Sequence, residues 1–281
     1  MDATKSVTKC TPRSKRWASW ALVATAFSMV TAFQCAPITT GGARTSIRAT
    51  LEGALPVAAT SAGWSVTYEQ ALLSVDTIRW HTGNPVYEAR ARTQQRRARD
   101  WMRYFSVGTA YAHPGHYTPG EALADTAPLR VFDLLGAPTQ LGIIGAVTGT
   151  SNSASLQLRP ADAARVAGTA LGANNTLRVQ GTASKEGVTV RFRAELPDAI
   201  DIDGSPAHGE ITADGATEFR VVIDLGAWID RADFSTLANV SAGSDGVVDV
   251  PATAQVRNAL FRGASNGAAY RFAVRVPNMG Q

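Results

Sequence analysis

Thiols are almost absent from this chain of 281 residues. Its two cysteines, Cys10 and Cys35, both fall in the first 35 positions. From residue 36 onward thiol nucleophiles, cysteine-built zinc sites, iron–sulfur clusters and a disulfide framework are excluded. None is needed for stability, since ~240 residues can bury an adequate core. Lysine is also scarce, with Lys185 the only one after Lys15. An excess of one charge is missing as well. Of 27 Lys+Arg and 23 Asp+Glu, five basic residues and one acid lie in 1–35, which leaves 22 of each beyond. The formal charge of +4 thus belongs to the N-terminal segment and is no nucleic-acid footprint. There is no long hydrophobic run either. The uncharged stretch Trp17–Phe33 is 17 residues, interrupted by Ser19, Thr25, Ser28 and Thr31, where a spanning helix wants ~20 apolar residues.

What stands at the N-terminus is the layout of a bacterial export signal. Lys5, Lys9, Arg13, Lys15 and Arg16 form a basic leader, the apolar stretch follows, and Cys35 comes almost at once. Residues 1–35 therefore read as an export signal, and the protein is expected in the periplasm, at the outer membrane, or secreted. Ala32-Phe33-Gln34-Cys35 places a cysteine where a lipoprotein signal carries its lipidated residue, but Gln34 stands where a small residue belongs. Membrane attachment through a lipidated Cys35 and a plain secretory signal with an incidental cysteine both remain open.

Residues 36–44, rich in Gly and Thr, read as a flexible tether, and 45–281 as one β-rich domain. Apolar and polar residues alternate over 47–51 and 64–68, the mark of half-buried strands. Later runs repeat the pattern: 129–135, 141–148, 154–158, 177–180, 188–194, 219–225 and 270–276. Lys185-Glu186-Gly187 between two of them predicts a hairpin. Three short helices are expected, at Ala161–Leu171, Ala227–Leu237 and Pro251–Arg262, the last opened by Pro and closed by Gly263. A polar insertion around 88–128 carries Arg90, Arg92, Arg96, Arg97, Arg99 and Arg103. The expected fold is a single antiparallel β-sandwich-like domain with a few short helices and this arginine-rich insertion.

Chemistry concentrates in the insertion. His113-Pro114-Gly115-His116 has the composition of a type II turn, in which Pro presets the first central dihedral and Gly takes the positive φ of the second. Such a turn holds its end residues within ~7 Å, close enough for two imidazoles to share a metal. Thr118-Pro119-Gly120-Glu121 repeats the device and turns Glu121 back towards them. His81, at a strand end beside Gly83, supplies a third imidazole, and Asp125 a further oxygen. Two or three histidines suit copper, and imidazole with carboxylate suits zinc. The bland alternative is a rigid surface loop whose histidines bond to backbone.

Three patterns look chemical and read as structure. Asp201-Ile202-Asp203-Gly204 with Glu210 mimics the back of an EF-hand loop, but Ala199 stands in the first ligand position and strands flank it. A polar loop is expected there, with a calcium site of Asp198, Asp201 and Asp203 as the alternative. Gly263-Ala264-Ser265-Asn266-Gly267 matches a nucleophile elbow in reversed context, helix before and strand after, and reads as a turn. Trp64, Trp80, Trp101 and Trp228 read as core ahead of a ligand platform.

The functional expectation is an exported cell-envelope binding protein that takes copper or zinc through His113 and His116, with His81 or Glu121 completing the site. A metal-dependent hydrolase using the same loop, and an envelope adaptor without a small ligand, are the competing classes. A binding role stands ahead of an enzymatic one, because no H-E-x-x-H helix or complete catalytic triad is present.

Overall fold

The computed structural model describes residues 42–55, 59–86, 117–126 and 130–275. The expected export signal with Cys35, the arginine-rich stretch, Trp101, His113 and His116 lie outside the described residues. The described part is mostly β, a large mixed sheet with three short helices, folded in sandwich-like fashion.

The organising element is a strand of 17 residues, β2 (Ser65–His81), which follows β1 (Arg44–Ala54). Its first half pairs with β7 (Leu177–Lys185). Its middle pairs with β4 (Arg130–Asp133), and its last residues pair with β6 (Gly149–Leu158) and β3 (Ala122–Asp125). Register shifts at Tyr68/Gln70, Val75/Thr77 and Trp80/His81 mark bulges, which bend a strand and let it serve two parts of a sheet. The middle of β2, residues 71–75, is buried on both faces. On one side it joins the main core. On the other, Leu72 packs with Ala161 and Leu171 under α1 (Ala163–Val166).

The remaining strands complete the sheet in the order β11-β8-β7-β2-β3-β5-β1-β10-β12, with β9 attached through β6. Here β5 is Thr139–Val147, β8 Val188–Leu196, β9 Ile200–Ile211, β10 Glu218–Asp224, β11 Val248–Asp249 and β12 Tyr270–Arg275. The β7–β8 hairpin turns at Glu186 (φ +50°) and Gly187 (φ +83°), the two positive dihedrals a tight primed turn requires. The sheet is not antiparallel throughout: β1 runs parallel to β10, and β11 parallel to β8. Periodicity reveals which faces are buried but not the direction of a neighbour far away in sequence. β9 and β12 lie side by side where Gly209 lets Val274 approach its backbone, a position a Cβ would fill.

The predicted helices exist but are shorter or shifted. α1 spans four residues, capped by Asp162, and the chain turns away at Gly168 (φ +79°). The second expected helix is split into α2 (Leu225–Ile229) and a 3-10 turn at Ser235–Asn239. Asp233 lies between them and accepts bonds from the Ser235 amide and the Trp64 indole, both at 3.0 Å, so a tertiary contact interrupts the helix. α3 is Gln255–Ala264.

The expected polar loop around residue 201 is instead part of β9. Its acids alternate outward while Ile200 and Ile202 are buried. This separates the alternative calcium ligands: Asp198 pairs with Arg257 at 3.2 Å and Asp201 with Arg159 at 2.6 Å. Ser265 follows the end of α3 and its amide bonds to the Phe261 carbonyl, so the elbow-like sequence is a helix terminus. Trp64, Trp80 and Trp228 are all buried. No helix among the described residues is long and apolar enough to cross a membrane.

Candidate functional site

Strand alternation decides where the described histidine of interest faces. Trp80 points into the core, where it stacks on Phe219 at 4.0 Å between ring centroids. His81, the next residue and the last of β2, therefore faces the opposite side. There it stands beside Ser153, its partner across the ladder, and Ser155, the partner of Arg79. His81 is only 6% exposed. Its Nε2 lies 3.0 Å from the Ser155 hydroxyl. Its Nδ1 is buried and makes no hydrogen bond among the described residues.

The face is covered by Tyr117, whose ring meets the imidazole edge-on at 6.4 Å between centroids. The Ser153 hydroxyl donates to the Gly83 carbonyl at 2.6 Å, so its single proton is committed. Tyr117 Oη, 2.8 Å away, is then the donor to Ser153, which gives a directed chain Tyr117–Ser153–Gly83. Val86 and Tyr117 both close on Gly204, where a Cβ would fall 2.5 Å from Val86 Cγ2 and 2.9 Å from the tyrosine ring. The two residues that bound the undescribed part of the insertion thus meet over one glycine of β9.

The electrostatics favour a neutral imidazole. Burial pushes the His81 pKa below its ordinary 6.5, Arg79 pushes it further, and Asp203 opposes them. Burial raises the Tyr117 phenol, which stays protonated.

The other predicted ligands are placed as follows. Residues 119–121 are fastened along 82–83: Thr82 N donates to the Glu121 carbonyl and Glu121 N to Thr82 Oγ1, each at 3.0 Å, and Gly83 N donates to the Pro119 carbonyl at 2.7 Å. Gly120 has φ +70°, as its place in the predicted turn requires. Glu121 is thereby held one residue along from His81, with its side chain exposed. Asp125 ends β3 opposite Arg79 and is exposed. Among the described residues, no three His, Cys, Asp or Glu side chains gather in a way that holds a metal. Sequence reasoning missed Ser153, Ser155 and Tyr117 as the groups that orient His81. The serines at 151, 153 and 155 show strand spacing, but spacing does not disclose which distant side chain they meet.

No family model matches this chain, and no curated protein matches it. Among solved structures, MbnP from Methylosinus trichosporium is similar over 83% of this chain and 98% of its own length, at 10% identity and a TM-score of 0.40. A likeness that slight fixes neither fold nor function.

Proposed function

We propose that this is an exported cell-envelope protein that binds a transition metal, copper or zinc, with His81 as the buried anchor and His113 and His116 as further ligands. The observation that carries the reading is the state of the His81 ring. A metal-binding histidine is usually oriented by a hydrogen bond at its other ring nitrogen, which fixes the tautomer. Ser155 is placed to accept from Nε2–H, which would leave the Nδ1 lone pair as a buried acceptor without a partner among the described residues. Burial keeps that ring neutral, the form that coordinates.

Chain connectivity supports the rest. His116 is bonded to Tyr117, which packs on His81. His113 is four residues from Tyr117, a reach of at most ~14 Å at 3.3–3.6 Å per residue. Glu121 is fastened beside Thr82, the residue after His81, and a histidine–carboxylate set suits zinc. The basic leader and apolar stretch support export, with Cys35 as the candidate lipid attachment.

Elemental analysis tests the reading. The purified chain, exposed to copper and zinc and then desalted, is expected to retain about one metal ion. A His113→Ala/His116→Ala variant and a His81→Gln variant are each expected to lose it. Retention of metal by the His81 variant, or no metal in the parent, would overturn the assignment.

A further inference from the structure

A second feature shares no residue with the His81 face. Where the parallel strands β1 and β10 end, a cleft of about 820 Å³ opens between the start of β2 and the pair α2 and α3. Its size falls in the ~300–1,000 Å³ range of small-molecule sites. Val66, the Tyr68 ring, Ala227, Ile229 and Ala259 give it an apolar floor.

The walls are built and cross-braced. Gln255 of α3 donates to the Arg231 carbonyl and accepts from the Asp233 amide, both at 2.8 Å. Tyr68 Oη donates to the Leu225 carbonyl at 2.6 Å, and the Asp224 side chain caps α2 at the Gly226 and Ala227 amides. Gly263 lets α3 press against the Trp228 carbonyl, where no Cβ would fit. The cleft is therefore held open by bonds that do not need its occupant.

Its rim is chemically unspent. The side chains of Asp230, Arg231, Asn258 and Arg262 line it and make no hydrogen bond or ion pair among the described residues. A purely anionic ligand would face Asp230, and a purely cationic one the two arginines. An uncharged apolar ligand would desolvate all of these groups without pairing any. A ligand with both charges and an apolar body satisfies the charged rim and the apolar floor together.

We propose that this cleft binds a short apolar peptide with both ends free, its carboxylate on Arg231 and Arg262, its ammonium on Asp230 and its side chains on the floor. Arginine is suited to the carboxylate end because its planar fork bonds both oxygens at once.

Calorimetric titration with Leu-Leu-Leu, its N-acetyl form and its C-amide form decides the matter. The free-ended peptide is expected to bind one to one. Blocking either end, or making Asp230→Asn or the double variant Arg231→Gln/Arg262→Gln, is expected to weaken binding about tenfold. Asp230→Asn should add no further loss for the N-acetyl peptide, and the double Gln variant none for the C-amide. All these side chains are exposed, so the fold is retained and circular dichroism checks it. No binding up to millimolar peptide, equal binding of blocked and free peptides, or parent-like variants would overturn the proposal. Metal retention in the cleft variants reads the His81 site separately.

Discussion

At the residue scale, His81 is where burial meets titration. Its folded pKa lies below the ordinary value, so the unfolded chain binds the extra proton more readily. Stability then rises with pH through this group and falls as pH drops below about 6.5, levelling off once the folded ring also protonates. Urea unfolding at pH 5 and pH 8 is expected to show a larger gap for the parent than for His81→Gln. Gly204 is a sharper constraint, since its φ of +64° and the closeness of Val86 and Tyr117 both demand the missing Cβ. Gly204→Ala is expected to destabilise by about 1–3 kcal/mol in the same assay. Trp80→Ala removes a fully buried ring stacked on Phe219 and is expected to cost about 3–5 kcal/mol.

At the scale of elements, strands were easier to read than helices. β7, β8, β10 and β12 follow from alternation, and the β7–β8 turn follows from Glu186-Gly187, because period and turn chemistry are local properties. β9 did not follow: its outward acids, Asp201 and Asp203, look like a loop until a partner strand is seen to bury Ile200 and Ile202. The helix expected at 227–237 breaks because Asp233 is recruited by Trp64, 169 positions away. α2 then depends on its cap more than a longer helix would. Asp224→Ala removes the acceptor for two α2 amides and is expected to cost about 0.5–2 kcal/mol, seen as a lower melting temperature.

At the scale of the whole molecule, the outer face of β2, β7 and β8 is tied by an exposed network. Glu69 accepts from Arg191 at 2.7 Å, from Gln180 at 3.1 Å and from Thr182 at 3.2 Å. The bonds from Arg191 and Gln180 bring its carboxyl down to about 2. Its stabilisation is therefore present above the ordinary carboxylate range and is lost as pH falls towards 2. The group is exposed, so Glu69→Gln is expected to cost under about 1 kcal/mol at pH 7, and the difference from the parent should vanish in acid unfolding near pH 2. The amino-acid order carried the β class, the lack of cysteine beyond residue 35 and the core placement of Trp64, Trp80 and Trp228, since each depends on residue type and spacing alone. Long-range packing decided the parallel pairs β1–β10 and β8–β11, the setting of His81 among Ser155, Ser153 and Tyr117, and the cleft by α2 and α3. Those features join residues tens to hundreds of positions apart, and nothing local in the chain encodes such meetings.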